Sequence, residues 1–196
     1  MKVAGIIVAA GFSRRMGRDK LLLPVAGIAS VERVVLAALK ARLDERIMVF
    51  RDSAIAAIGR RYGCTVIEND RAAEGQSTSL RLGAAAAAAD ATGLVFMVGD
   101  QPLLDVAVID RLIDAHEARP DRILVASYDG RPGNPVLFPA HMRSELLQAT
   151  GDQGGRQCVA AWPELVLQVE MPDSAAGLDM DTPEAYERMQ IIQEQL

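Results

Sequence analysis

The 196-residue chain is poor in aromatic residues, cysteine and histidine, and each shortage limits what the protein can be. Aromatic side chains make up 4% of the residues although 50% are hydrophobic, so the core must be aliphatic, as in layered α/β proteins. The two cysteines, Cys64 and Cys158, lie far apart without metal-ligand spacing, which favours reduced thiols over a disulfide framework. The two histidines, His116 and His141, suggest no Ser-His-Asp arrangement.

The chain also lacks an excess of positive charge and a long apolar run. A net charge of −5 argues against an extended nucleic-acid surface, although a small basic pocket remains compatible with it. No apolar stretch approaches the ~20 residues of a membrane helix, and the N-terminal run is short and leads into arginines, unlike a signal peptide. We therefore expect a cytoplasmic protein that binds neither nucleic acid nor a membrane.

Short aliphatic runs alternate with helical patterns along the chain. "VAGIIVA" precedes "SVERVVLAALKARL", "RIMVF" precedes "SAIAAIGRRY", and "GLVFMVGD" precedes "DVAVIDRLIDAHEA". This alternation predicts repeated βαβ units in a three-layer, Rossmann-like α/β fold, with a mostly parallel central sheet and helices on both faces. No linker is evident, so we expect one domain over residues 1–196. Ligands of such sheets bind at the carboxyl ends of the strands.

Three local features give further expectations. Ser30 is predicted to be the N-cap of the first helix, and the six alanines at 84–89 predict helix because alanine is the best helix former. The segments "GRPGNPVLFP" and "TGDQGGR" in the second half are rich in turn residues and predict long insertions that form binding walls.

The stretch after the first predicted strand, "AGFSRRMGRDKLLLP", concentrates positive charge. Gly11 and Gly17 are expected to permit backbone conformations closed to other residues and to expose N–H groups in an anion-binding concavity, suited to a polyphosphate. The alternative is a surface turn with solvated arginines, and the spacing matches neither the Walker loop nor GxGxxG. Four basic residues fall within seven positions: Arg14, Arg15, Arg18 and Lys20.

Aspartates stand at two places where a metal ion could bind. Asp100 in "VGDQP" directly follows a predicted buried strand, on the same rim as the basic loop, where a carboxylate can hold Mg²⁺ against phosphate oxygens. Asp179 and Asp181 precede a predicted helix start at Thr182, and a carboxylate from this segment could return to the metal. The alternatives are an ordinary turn at Asp100 and helix capping near Thr182.

The segment "EGQSTSLRLG" at 74–83 predicts a glycine-containing loop that opens a helix. Backbone N–H groups and hydroxyls at such a start can hydrogen-bond a base or ribose, and Gly75 and Ser79 are the candidates. Ser77 or Thr78 is expected to cap the helix.

Six segments together resemble the nucleotidyltransferases that act on molybdopterin, especially the molybdenum cofactor cytidylyltransferases. They follow the family's order over nearly the whole chain, and the first is the most specific: "AAGFSRRMGRDKLLLP", "EGQSTSL", "GDQP", "GRPGNPVLF", "GDQGGR" and "DMDTPEAYE". We accordingly predict a nucleotidyltransferase fold with a nucleotide-binding half at 1–100 and an acceptor-binding half at 101–196.

The resemblance implies roles for particular residues. Gly75 to Ser79 would read the base or ribose, and Asp100 would hold Mg²⁺ beside the nucleotide, with Asp181 as its partner ligand. Asn134 and Arg156 are predicted to face the acceptor. Arg15, Lys20 and Asp100 are the predicted catalytic residues. The first loop would wind around the triphosphate through Ala9, Ala10, Gly11, Ser13, Arg15, Gly17 and Lys20.

The resemblance also bears on the nucleotide. Guanylyl members tend toward an LAGG opening, whereas Val8-Ala9-Ala10-Gly11 and Leu23-Pro24 look like the cytidylyl type, so we expect CTP. Cytidylyl members often carry histidine where this sequence has Asn134, and this departure from the family pattern falls on the acceptor side.

The reaction that follows is Mg²⁺-dependent transfer of CMP from CTP to a molybdopterin-type acceptor with release of pyrophosphate. Some family members are encoded beside molybdenum hydroxylases, which makes such an enzyme the candidate partner. Three alternatives stay open: GTP as the donor, another small phosphorylated acceptor such as a sugar or polyol phosphate, and a molybdenum cofactor carrier without catalysis.

Overall fold

A seven-stranded sheet forms the centre of the computed structural model, which describes residues 1–13, 19–152 and 154–194. Its strands are β1 (Val3–Ala9), β4 (Glu45–Phe50), β5 (Thr65–Glu68), β6 (Gly93–Val98), β7 (Ile123–Tyr128), β8 (Arg131–Pro139) and β9 (Val166–Glu170). A small hairpin joins β2 (Pro24–Val25) to β3 (Ile28–Ala29). The helices are α1 (Ser30–Lys40), α2 (Ser53–Arg61), α3 (Gln76–Ala86), α4 (Val106–Ala118), α5 (Arg143–Gln148), α6 (Gly155–Ala161) and α7 (Pro183–Glu194).

The strand order is β5-β4-β1-β6-β8-β7-β9, and only β8 runs antiparallel to its neighbours in this sheet. The prediction of a mostly parallel sheet with helices on both faces is confirmed. From β1 the chain moves outward to β4 and β5 and then returns to place β6 on the other side of β1. Such a reversal opens a crevice at the carboxyl ends of the strands. The segments after β1 and β6 therefore flank a natural binding position.

Alternate residues of the strands fill two separate cores, as the period of two in a strand requires. Ile7 packs with α1, α2 and α4 on one face, whereas Ile6 packs with α3, α5 and α6 on the other. Phe96 of β6 and Phe138 of β8 meet edge to face on this second side, with ring centroids 5.9 Å apart. The core thus continues from the parallel strands into the antiparallel one.

Two helix boundaries differ from the prediction. Ser30 is not an N-cap: Ala29 takes that position, and the buried Ser30 hydroxyl instead donates to the Gly99 carbonyl at 3.0 Å. Helix α3 ends at Ala86, so the second half of the six-alanine run is not helical. The Arg143 guanidinium donates to the carbonyls of Ala87 and Ala88 at 2.8 Å, which supplies the partners that continued helix would have given.

The expectation that "GRPGNPVLFP" is a turn-rich insertion is wrong, because it forms β8 inside the sheet. Its prolines make the segment look like a loop in the sequence. In the structure they lie at the ends or at the irregular point of the pairing of β8 with its two neighbouring strands. Pro132 and Pro139 lie at the ends of the pairing, and Pro135 lies where the register against β7 shifts. The apolar run before Pro139 supplies the regular pairs with β6.

The C-terminal helix packs on the β2–β3 hairpin. The Tyr186 hydroxyl and the Gln190 amide each donate to the Pro24 carbonyl at 2.8 Å. The predicted helix start is present, since Ala185 N donates to Thr182 Oγ1 at 3.2 Å. A third small core lies between these elements and joins Leu23, Val25, Leu103, Met180 and Met189.

Two further expectations concern the whole chain. Cys64 and Cys158 are free and buried, and burial raises the pKa of both thiols. Within the described ranges, no helix is long and apolar enough to cross a membrane.

Candidate active site

Three of the predicted site residues meet at the carboxyl ends of β1 and β6. The Lys20 ammonium contacts Asp100 Oδ2 and lies 2.5 Å from Asp181 Oδ1. The side chains are 11% exposed for Lys20, 19% for Asp100 and 43% for Asp181. One partly buried cation is therefore shared by two carboxylates at the point where the strand order reverses.

Each of these residues is held by backbone contacts. Lys20 begins a 3-10 turn, Lys20–Leu22, in which Asp19 Oδ1 accepts from Leu21 N at 3.1 Å. Asp100 follows Gly99, whose N–H continues the β1 ladder by donating to Val8 O at 3.0 Å. The Asp181 segment is fixed because the N–H of the preceding residue, Met180, donates to Asp100 O at 3.0 Å. The charges are thus carried by a 3-10 turn, by the residues that directly follow β6 and by one returning segment.

The surroundings shift two pKa values in the site. Burial lowers the pKa of Lys20, but its ion pairs with Asp100 and Asp181 outweigh burial, so the net pKa is raised and the ammonium keeps its proton at neutral pH. Asp179 presents surface to solvent, yet its carboxyl lies in a crowded acidic region. Partial burial, reinforced by the charge of Asp100, raises the pKa of Asp179 to about 6.

Gln101, the residue after Asp100, hydrogen-bonds to the acidic segment at 177–181, which comes from the last part of the chain. Its side-chain amide is buried and donates to Gly177 O at 3.1 Å and to Asp179 Oδ1 at 2.9 Å. One side chain therefore holds the backbone at 177 and the carboxylate at 179 beside Asp100.

The donor set fits a hard divalent cation. Asp100 and Asp181 offer carboxylate oxygens that already converge on one positive charge, and Mg²⁺ is usually held by one or two carboxylates plus substrate phosphates. Among the described residues there is no cluster of three or more His, Cys, Asp or Glu side chains that would form a complete protein cage. The arrangement suits a metal ion that arrives with a phosphate ligand.

The beginning of the first loop is only partly as predicted. Ala9 and Ala10 are buried at the end of β1. The special backbone conformation expected of Gly11 is absent, because its φ is not in the left-handed region and an added Cβ would meet open space. Its contact with a triphosphate stays a prediction. Ser13 has the positive φ instead, +49°, and its hydroxyl accepts from Lys20 N at 3.1 Å. The predicted contacts of Arg15 and Gly17 lie outside the described residues.

Gly75 and Ser79 lie at the start of α3 in close contact with other protein groups. Gly75 is the N-cap, in place of the predicted Ser77 or Thr78, with φ of +117°, and an added Cβ would come within 2.6 Å of Gly151 O. Ser79 is buried, and its hydroxyl accepts from Asn69 Nδ2 at 2.8 Å. Their contacts with a base or ribose stay predictions.

The two predicted acceptor residues occupy different parts of the second half. Asn134 precedes a cis proline in β8, and its carbonyl accepts from the Tyr128 hydroxyl at 2.6 Å. The Tyr128 ring also packs against Gly177, which connects Asn134 to the acidic segment. Arg156 is exposed on α6, and the loop before this helix contacts the start of α3 through Gly151.

Sequence reasoning overlooked several residues around the site. Arg51 directly follows β4 and Asn69 directly follows β5, so both stand on the same rim as Lys20 and Asp100. The rule that placed Asp100 at a strand end would have found them. Gln101 had no such signal, because only the fold brings it beside Gly177 and Asp179.

A sheet of this order, with a lysine and two aspartates at its point of reversal, has the ligand-binding arrangement of the doubly wound α/β proteins. Residues 5–166 match the family described as the MobA-like NTP transferase domain. The chain belongs to this family and is a nucleotidyltransferase.

Relatives from three organisms are similar over most of the chain. The nicotine blue oxidoreductase of Paenarthrobacter nicotinovorans is 32% identical over 95% of this chain and 96% of its own. The molybdenum cofactor cytidylyltransferase of Escherichia coli is 27% identical over 92% of both chains. The molybdenum cofactor guanylyltransferase of Mesorhizobium japonicum is 32% identical over 79% of this chain and 76% of its own.

Solved structures support the same fold. Rv0371c from Mycobacterium tuberculosis superposes with a TM-score of 0.83 and 30% identity over 97% of this chain and 98% of that one. A second structure of Rv0371c is described as a complex with manganese, with a TM-score of 0.79 and 29% identity over 97% of this chain and 99% of that one.

Proposed function

We propose that this nucleotidyltransferase transfers CMP from CTP to the terminal phosphate of a molybdopterin-type acceptor, with Mg²⁺ held by Asp100 and Asp181. The observation that carries the proposal is the Lys20 ammonium shared by these two carboxylates at the reversal of the strand order. Positive and negative groups at one crevice suit a metal-bound triphosphate. The manganese complex of Rv0371c supports a divalent cation in a protein of this fold.

The reaction needs a positioned acceptor and charge neutralisation, without a covalent protein nucleophile. An acceptor phosphate oxygen attacks the α-phosphorus in line, the new P–O bond forms, and the bond to the β-phosphate oxygen breaks to release pyrophosphate. The Lys20 ammonium stays protonated and stabilises the charge that develops on the leaving pyrophosphate. A divalent cation bound by Asp100 and Asp181 would neutralise phosphate oxygens.

The choice of CTP is supported by the opening Val8-Ala9-Ala10-Gly11. The two molybdenum cofactor transferases among the relatives are named for different nucleotides, so their names support the acceptor class more than the base. Asn134 and Arg156 are proposed to face the acceptor, which assigns residues 1–100 to the nucleotide and 101–196 to the acceptor.

The decisive experiment is a nucleotide panel read out as pyrophosphate. CTP, GTP, ATP and UTP are each mixed with Mg²⁺, the molybdenum-loaded pterin and the protein, and CTP should give the fastest release. A preference for GTP would reverse the base assignment. Pyrophosphate release with a sugar or polyol phosphate but not with the pterin would show that the acceptor is a different small phosphorylated molecule. No release with any nucleotide would favour a molybdenum cofactor carrier.

Asp100→Asn tests the site within the same assay. We expect the rate to fall by about 10²–10³-fold, because a group that places charge at the reacting phosphates is lost. The matched control is Asp90→Asn, which removes a carboxylate that pairs with Lys2 at the opposite end of the sheet. Equal rates for the two variants would refute the role of Asp100. Redox turnover of nicotine blue without pyrophosphate release would instead favour the activity named in the Paenarthrobacter relative.

A further inference from the structure

Arg51 touches both sides of the first loop although it comes from a different strand. It directly follows β4, and its side chain is 35% exposed. Its guanidinium carbon lies 4.6 Å from the centroid of the Phe12 ring, and Nη2 lies 3.7 Å from Asp19 Oδ2. Phe12 and Asp19 stand at the beginning and the end of the loop that leads to Lys20.

Asp19 connects Arg51 to the backbone around Lys20 through hydrogen bonds. Its other carboxylate oxygen, Oδ1, accepts from the Ser13 hydroxyl at 3.3 Å and from Leu21 N at 3.1 Å. The Ser13 hydroxyl in turn accepts from Lys20 N at 3.1 Å. Arg51, Asp19 and Ser13 therefore form a connected set whose last member binds the backbone of Lys20.

We propose that Arg51 is a positioning residue that ties Phe12 to Asp19 and thereby holds the Lys20 backbone ready for the triphosphate. The inference rests on the proposed function for the identity of the ligand. Arg51 acts through other residues, so its loss should weaken nucleotide binding more than it slows the chemical step. A backbone already in place loses less conformational entropy on binding than one that must be ordered by the ligand.

The planar guanidinium explains why arginine stands here. It can stack on the Phe12 ring and direct an N–H group toward Asp19 at the same time, which the compact ammonium of lysine does less well. Arg60 provides a matched comparison, because it lines the same cavity as Arg51 but lies over Phe50, with 5.8 Å from its guanidinium carbon to the ring centroid.

The test compares Arg51→Met, Arg51→Lys and Arg60→Met by amide hydrogen exchange and by kinetics. In Arg51→Met, the amides of Lys20 and Leu21 should exchange about 2- to 30-fold faster, the range expected for loss of one cation–π contact. The amide of Gly99, which belongs to the β1 ladder, should be unchanged. Arg51→Lys should restore part of the protection, and Arg60→Met should behave as wild type.

In the pyrophosphate assay, Arg51→Met should raise the KM for the nucleotide by a similar factor and change kcat less than KM. Unchanged exchange at Lys20 and Leu21 would overturn the anchoring role, and a loss of protection throughout the sheet would show a general structural role instead. Faster exchange with an unchanged KM would overturn the link to the triphosphate. If the wild type releases no pyrophosphate, the proposed function fails, and the exchange comparison alone decides the anchoring role.

Discussion

A lysine meets aspartate at both ends of the β1–β6 pair, but in different surroundings. Before the strands begin, Lys2 Nζ lies 2.9 Å from Asp90 Oδ1, and the side chains are 39% and 74% exposed. After the strands end, Lys20 is 11% exposed and is shared by Asp100 and Asp181. Exposed pairs of the first kind contribute little, because water screens them and side-chain entropy opposes them. The second arrangement keeps the charges of Lys20 and Asp100 in a partly buried place, where their desolvation has a free-energy cost. The difference supports the proposal that the functional site lies at the carboxyl end of these strands.

The largest effect is expected for Lys20→Met compared with Lys2→Met. Both variants remove an ammonium from an ion pair with aspartate, but only Lys20 lies at the proposed triphosphate site. We expect kcat/KM for pyrophosphate release to fall by about 10²–10³-fold in Lys20→Met.

Lys2→Met should keep the wild-type rate, since its pair is exposed and lies at the other end of the strand. Circular dichroism checks that both variants fold. A comparable loss of rate in the two variants would remove the distinction between the ends of the sheet.

A smaller effect is expected for Gln101→Leu, which tests whether the carboxyl end is organised beyond the direct ion pairs. Leucine keeps the buried volume but cannot donate to Gly177 O or Asp179 Oδ1, so the returning acidic segment loses two hydrogen bonds and keeps the Met180–Asp100 backbone bond. Groups that orient metal ligands typically contribute 10–100-fold, so we expect Mn²⁺ affinity to fall by about this factor. Electron paramagnetic resonance of free Mn²⁺ measures it.

Gln148→Leu is the matched control, because Gln148 is exposed at the end of α5. If Gln101→Leu lowers the free energy of unfolding while Mn²⁺ binding stays as in the wild type, Gln101 is only a structural residue.

The two halves of the sheet differ in how well the sequence predicts them. The parallel strands β1, β4, β5 and β6 are short aliphatic runs followed by helical patterns, and periodicity is sufficient to find them. Strand β8 has three prolines and a register shift, so its pattern is that of a loop, and only pairing with β6 and β7 makes it a strand.

The site divides in the same way. Lys20 and Asp100 each follow a parallel strand, and the rule for strand ends predicts that they share a rim. Asp181 comes from far along the chain, and its approach depends on the Met180–Asp100 backbone bond and on α7 packing against the β2–β3 hairpin. Such contacts depend on tertiary packing, which no local pattern contains. The functional roles of these residues stay predictions until they are tested.

The smallest effect is expected at the amino end of β6, where acid should reduce stability through His116. This side chain is fully buried on α4, and its Nε2 lies 3.2 Å from Thr92 O. Burial lowers the pKa of His116, and the Thr92 carbonyl and the charge of Glu117 oppose the shift only in part. The unfolded chain, with a histidine pKa of about 6.5, therefore takes up a proton at a higher pH than the folded protein. The stabilising contribution of neutral His116 is complete above that pH and is lost as the pH falls toward the folded pKa.

Urea unfolding at pH 7.5, 6.5 and 5.5 measures this loss. The free energy of unfolding should decrease below about pH 6.5 with a slope of at most about 1.4 kcal/mol per pH unit from this residue, and His116→Gln should remove that part of the slope. His141→Gln is the control, because it removes a histidine from an exposed position. If both variants retain the wild-type slope, His116 does not gain a proton on unfolding. If only His116→Gln flattens the slope, His116 lowers the stability of the protein in acid. This effect arises at the end of the sheet that lacks the proposed site, so it is separate from any effect of pH on the charges around Lys20.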